Sequence, residues 1–231
     1  MVLSIIIIVT MFVTVRTGKL TLTAALTGGF IGIFIFKGAD FTGIAMMAIF
    51  FILGTLATAW KAATKAGLGV AEDNSERRTA GQVLANAGVA GIVGAYIWFL
   101  PEQPLIPRLM MAASFSAATA DTLSSELGNV YGSRYYNIIS LKKDQRGLNG
   151  VISVEGTLFG IVGSIIIAAV YSIGFGWNIN FLWIVIAGTI GNLADSILGA
   201  TLERKRYLNN NAVNFLNTLI GAVAAAMLGL F

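Results

Sequence analysis

The sequence has no cysteine and no histidine. That excludes disulfides, thiol nucleophiles, Cys/His zinc sites and imidazole acid–base catalysis together. Charge is scarce: Asp, Glu, Lys and Arg make up 11% of the 231 residues, where soluble domains carry about 25%. Proline occurs only three times. No polar stretch is long enough to form a separate soluble domain. Neither GxxxxGK[ST] nor GxGxxG occurs, so there is no standard nucleotide loop.

What remains is apolar. Hydrophobic residues reach 56%, with a mean hydropathy of +0.80. This predicts an all-α, polytopic helical membrane bundle in a single transmembrane domain over residues 1–231. About eight spans are expected, near 2–15, 20–36, 42–60, 80–99, 108–126, 150–173, 180–201 and 211–230, since a membrane helix needs roughly 20 residues. Residues 1–60 supply three N-terminal spans, and 61–231 the catalytic part. MVLSIIIIVTMFV lacks a basic leader and a small-residue cleavage site, so it reads as a retained first helix. Pro101, Pro104 and Pro107 predict an extended corner.

Charge sets orientation. The loops after the first, third, fifth and seventh spans hold every Lys and Arg except Lys37 and Arg108. By the positive-inside rule they are cytoplasmic, in a multi-pass cell-membrane protein with both termini outside. The net charge of +4 is then a topology and lipid-surface signal, not a nucleic-acid one.

Two stretches stand out against this background. AASFSAATADTLSSELG, 112–128, carries Asp121; AGTIGNLADSILGATLE, 187–203, carries Asp195. An Asp in hydrocarbon costs about 2.5–3.5 kcal/mol on insertion scales, so each is a functional candidate. Ala113/Ala187, Ala120/Ala194, Asp121/Asp195 and Thr122/Ser196 recur in one register, which predicts an internal repeat of spans four–five and six–seven. The small residues around the acids also suit plain helix packing.

The helix after each basic loop begins with polar residues. Gln82 and Asn86 are one turn apart, as are Ser153 and Thr157, with Glu155 between them. Asn210, Asn214 and Asn217 share one face. Lys61, Lys65, Arg77 and Arg78 are expected to hold phosphates near helix N-termini. Lys142, Lys143 and Arg204–Arg206 read as topogenic charge. Gly147, Gly150, Gly156 and Gly160 permit close backbone approach, as a ligand loop or a packing seam. Asp121 and Asp195 are the expected metal ligands, for Mg2+, assisted by Glu126 or Asn192; Mg2+ favours one or two carboxylates plus substrate phosphates.

Acids, cations and helix N-termini beside an apolar interior point to phosphoryl or nucleotidyl transfer at a membrane surface. A phosphate monoester acceptor would need no strong base, which agrees with the missing histidine.

RRTAGQVLANAG (77–88), ATADTLSSELG (118–128), GVISVEGTLFG (150–160), GNLADSILGATLE (191–203) and NNNAVNFLNTLIGA (209–222) together resemble the membrane family of plant phytyl-phosphate kinase and its prokaryotic relatives, over roughly residues 60–231. SVEGTLFG also resembles the CTP-using phytol and dolichol kinases. The resemblance implies a kinase that converts an isoprenyl monophosphate to the diphosphate with a nucleoside triphosphate, CTP favoured. It implies Asp121, Glu126, Asp195, Glu155 and Asn214 as site residues. The partners are then the nucleotide, the isoprenyl phosphate and membrane lipids. Two other readings stay open: a CTP-dependent lipid nucleotidyltransferase of the CDP-lipid synthase type, and a secondary transporter using the Asp pair.

Overall fold

The computed structural model describes residues 2–69, 77–102 and 104–230. It is a helical bundle with one small hairpin. The helices are α1 (Val2–Arg16), α2 (Leu22–Ala59), α3 (Ala62–Gly67), α4 (Ala80–Phe99), α5 (Leu105–Tyr131), α6 (Val154–Phe175), α7 (Asn180–Leu198, continued by a π-helical turn Gly199–Glu203) and α8 (Asn210–Leu228). Strands β1 (Tyr136–Asn137) and β2 (Val151–Ile152) pair antiparallel between α5 and α6.

Among the described residues, five helices are long and apolar enough to cross a membrane. The eight expected spans reconcile with this in three places. First, α2 folds back on itself at Ala39 and Asp40, whose backbone is non-helical. Side chains at Gly28 and Gly32 would meet Met47 and Ile44, so the 22–38 and 41–59 arms run antiparallel, as two of the predicted spans. Second, α1 is only 15 residues long. Third, α5 is long enough but too polar.

The polarity of α5 follows from its position. It packs against α2, α4, α6, α7 and α8, and every residue from Met111 to Ala120 is buried. A helix shielded from lipid on all sides needs satisfied hydroxyls rather than hydrophobicity. Ser114, Ser116 and Thr119 donate to the carbonyls of Met111, Ile184 and Phe115 at 2.8, 3.2 and 2.7 Å. The expected proline corner is shorter than its sequence suggests. Pro104 caps α5 and Pro107 lies in its first turn, where a missing N–H costs nothing.

The two ends of the bundle differ chemically. The helices rising from the basic end all begin with a side-chain cap. Thr21, Thr79, Ser153 and Asn209 accept from the amides of Ala24, Gln82, Gly156 and Ala212. The descending helices α5 and α7 have none. Thr79 and Ser153 are separated by the same interval as Asp121 and Asp195, so the caps share the register of the repeat. At the basic end the 17–21 turn also pairs with the segment before α4: Thr21 N donates to Arg78 O at 3.1 Å, and Arg78 N to Lys19 O at 3.0 Å.

Candidate functional site: an amphipathic cavity at the basic end

Beside α5 lies a cavity of about 440 Å³. Its deep part is apolar, walled by Ile6, Ile7 and Met11 of α1 and by Gly28, Gly32, Ile44 and Met47 of the two α2 arms. Its mouth at the basic end is polar. There α4 contributes Gln82 and Asn86, α5 contributes Asp121, Thr122, Ser125 and Glu126, α8 contributes Asn210 and Asn214, and Arg78 reaches in from the segment before α4. Seven predicted site residues thus share one wall: Arg78, Gln82, Asn86, Asp121, Glu126, Asn210 and Asn214. Sequence reading missed the hydroxyls of Thr58 and Thr122 and the whole α1 contribution. The signal available was the Gly28–Gly29–Gly32 run.

Arg78 is held in place by shape. A side chain on Gly54 would come within 3.0 Å of its Nη2, and its guanidinium lies 5.5 Å from the Phe51 ring centroid. The missing Cβ at Gly54 makes room for the guanidinium between α2 and α5. Gln82 completes a capping box, accepting from Thr79 N at 2.8 Å, and Asn86 Nδ2 donates to the Gln82 carbonyl at 2.9 Å.

Asp195 does not line the cavity, yet it shares a layer with Asp121. Helices α5, α7 and α8 meet at Ala117, Gly191 and Gly221: Cβ atoms on the two glycines would stand 2.5 and 2.9 Å from that of Ala117. Asp121 is one turn beyond Ala117 and Asp195 one turn beyond Gly191. Asn217 is one turn before Gly221 on a helix running the other way. All three therefore fall in the next layer toward the basic end. Asn217 Nδ2 donates to Asp195 Oδ1 at 3.4 Å, while its own Oδ1 is buried and unpartnered. Among the described residues, no three Asp or Glu side chains gather into a metal cage. The Asn217 oxygen faces Gly191, so the layer offers two carboxylates as hard-oxygen donors. They fit Mg2+ if substrate phosphates and water complete the coordination.

Several expected ligands serve the fold instead. Lys65 is buried and pairs with Glu126, and it also donates to the carbonyls of Ala57 at 3.0 Å and Thr58 at 2.7 Å. An ammonium has three protons, and all three are committed, so Lys65 is not a phosphate ligand here. Lys61 stacks 4.8 Å over the Tyr131 ring, outside the cavity wall. Arg77 lies against Gly18.

The SVEGTLFG segment lies apart from this cavity. Ser153 caps α6, Thr157 Oγ1 donates to the Ser153 carbonyl at 3.0 Å, and Glu155 accepts from Ser133 Oγ at 2.6 Å and Ser133 N at 3.2 Å. None of the three reaches the cavity wall. Asn192 is buried against α6 at Gly160, where a Cβ would meet its Nδ2 at 2.7 Å. The hairpin loop is tied down by Arg204, which donates to Asp144 at 2.8 Å and to the Asn149 carbonyl. The Gln145 amide and then the Arg204 guanidinium hold the Asp144 carboxyl below its usual range. Burial pushes the Tyr135 hydroxyl up, against the opposing pull of Arg146.

Fold and site together define a polytopic helical membrane protein with an amphipathic cavity, apolar in depth and polar at its basic mouth. The chain belongs to the family described as integral membrane protein DUF92, whose model matches residues 5–222. It is 34% identical over 197 residues to Protein VTE6, chloroplastic, of Arabidopsis thaliana, covering 82% of this chain and 59% of that protein. The chain therefore spans less than two thirds of that relative's length. An uncharacterised membrane protein of Synechocystis is 32% identical over 198 residues, covering 84% of this chain and 77% of the relative. Another from Methanocaldococcus jannaschii is 31% identical over 194 residues, covering 81% and 76%. No solved structure matches.

Proposed function

We propose that this protein is a membrane lipid-phosphate kinase. It moves a phosphoryl group from a nucleoside triphosphate, CTP favoured, to an isoprenyl monophosphate, giving the diphosphate. The observation that carries this reading is the cavity itself: one space with an apolar depth for a lipid tail and a mouth bearing Arg78, Asp121 and four amide side chains. A soluble substrate would have no use for the first half, and a plain lipid would leave the second half with nothing to bind. The resemblance of residues 60–231 to the phytyl-phosphate kinase family points the same way.

In this reading the acceptor's phosphate oxygen attacks the γ-phosphorus, the bond to the β–γ bridging oxygen breaks, and the nucleoside diphosphate leaves. The acceptor oxygen is already anionic, so no side chain takes a proton. Arg78 binds phosphate oxygens through its planar fork of donors. Gln82, Asn86, Asn210 and Asn214 hydrogen-bond the phosphates or the base. Asp121 and Asp195 would hold Mg2+, which supplies charge neutralisation on the triphosphate. Lys65 keeps Glu126 neutralised beside the site, so this carboxylate does not repel the phosphates. The basic end faces the cytoplasm by the positive-inside rule, and nucleotides are supplied from that side.

The test is product analysis. Purified protein, Mg2+ and labelled CTP or ATP are incubated with prenyl monophosphates. A lipid diphosphate with a nucleoside diphosphate supports the kinase. A nucleotide–lipid with pyrophosphate would make the protein a nucleotidyltransferase using the same cavity.

A further inference from the structure

The deep half of the cavity makes a statement about the acceptor that the polar mouth does not. Gly28 and Gly32 line it on one α2 arm, with Ile44 and Met47 facing them from the other. Cβ atoms built on these two glycines would stand 3.8 Å from Met47 Cε and 3.9 Å from Ile44 Cδ1, in ordinary contact rather than collision. Gly29, between them, differs: its Cβ would strike Met11 Sδ at 2.9 Å and Ile7 Cγ2 at 3.2 Å, because α1 is pressed against it. Gly29 therefore seats α1, whereas Gly28 and Gly32 leave space unfilled.

The space runs along α2 for a distance that suits a lipid tail. From the start of α2 at Leu22, beside the mouth, to Gly32 in the depth is ten residues of helical rise, about 15 Å. That is close to one leaflet of a hydrocarbon core of about 30 Å. Ile6 of α1 and Ile52 of the 41–59 arm line the cavity and are 36% and 49% exposed.

Resting on the kinase reading, we propose that Gly28 and Gly32 set the depth of a tail site that takes a single-chain lipid phosphate from the adjoining leaflet. They act as the ruler for acceptor chain length, with α1 as the outer wall. A larger side chain at Gly32 blocks the far end, and one at Gly28 blocks the site nearer its mouth.

The experiment measures binding and turnover of C10, C15 and C20 prenyl monophosphates by the full chain in detergent and in vesicles. The unaltered protein is compared with Gly32→Leu, Gly28→Leu and, from the facing wall, Met47→Trp. Met47→Trp fills the same space without adding bulk to the 22–38 arm, so it keeps the test valid if a glycine variant misfolds. The expected result is that Gly32→Leu weakens C20 at least tenfold and leaves C10 within twofold. Gly28→Leu and Met47→Trp should lower the limit further, weakening C15 as well as C20. Equal losses for all three chains, or no loss for any, overturn the ruler while leaving the kinase reading intact. If the unaltered protein binds none of the three, the kinase reading falls and the ruler with it.

Discussion

The two halves of the repeat solve different problems with one plan. At positions separated by the interval between Asp121 and Asp195, the first half has Gln82 and Asn86 where the second has Gly156 and Gly160. The amides line the cavity. The glycines let α6 close on α5: their Cβ atoms would meet Ser124 O at 2.8 Å and Ala120 O at 3.0 Å. Beside α4 a gap remains on α5 that the α2 arms and α1 enclose, whereas α6 closes directly on α5. Both halves keep the cap and the carboxylate. One stretch thus holds a space and the other packs.

Substitutions in the two halves should accordingly fail in different assays. The largest effect is expected at Asp121. Asp121→Asn should lower phosphoryl transfer about a thousandfold or more, about 4 kcal/mol in barrier, with an unchanged elution profile and melting temperature. Glu155→Gln, at the tip of the second half, should stay within fivefold of the unaltered rate. A collapse with Glu155→Gln would return that segment to the active site.

Next comes the buried pair that seats α3 on α5. Lys65→Met leaves Glu126 buried without its cation and should cost about 3–5 kcal/mol of stability. Adding Glu126→Leu should restore most of that in unfolding measurements, because two apolar groups replace two charges. If the double variant is no better than the single, the pair is not the source of the loss.

Third, Gly160→Ala should destabilise by about 1–3 kcal/mol through overpacking against Ala120 O and Asn192. Asn86→Ala should change stability by no more than about 0.5 kcal/mol, as at a site away from packing, yet slow transfer about tenfold. Reversed outcomes would dissolve the contrast between the halves.

The smallest effect is a pH dependence in the hairpin loop. Asp144 is held below its ordinary value of 3.8 in the folded chain, so its contribution is present above that value and is lost as pH falls beneath it. Amide exchange across residues 136–152 should quicken only below the usual carboxylate range, and Arg204→Gln should flatten the response.

Much of the fold was legible because hydropathy and Lys/Arg placement act along the chain. The α2 reversal and the polar starts of the helices rising from the basic end are the parts read this way. The cavity was legible only by halves. Periodicity put Gln82, Asn86, Asn210 and Asn214 on inward faces, and an intramembrane acid marked Asp121. Nothing local distinguishes Lys65 from Lys61 or Glu155 from Glu126, since each pair shares residue type and membrane depth. Which one is buried against a partner depends on contacts such as Lys65–Glu126 that span 61 positions. The span expected near 108–126 is there as α5, but its central enclosure was not legible, because burial from Met111 to Ala120 depends on its neighbours.

The central claim is that the lipid sits in the cavity between α1, the α2 arms and α5. Photocrosslinking with a prenyl monophosphate carrying a diazirine near the end of its tail tests this directly, with labelled residues mapped by mass spectrometry. The account predicts labels on Ile7, Met11, Ile44 and Met47, competed by unlabelled prenyl phosphate. Competed labels on Leu158, Val162 and Ile165 of α6 would contradict it.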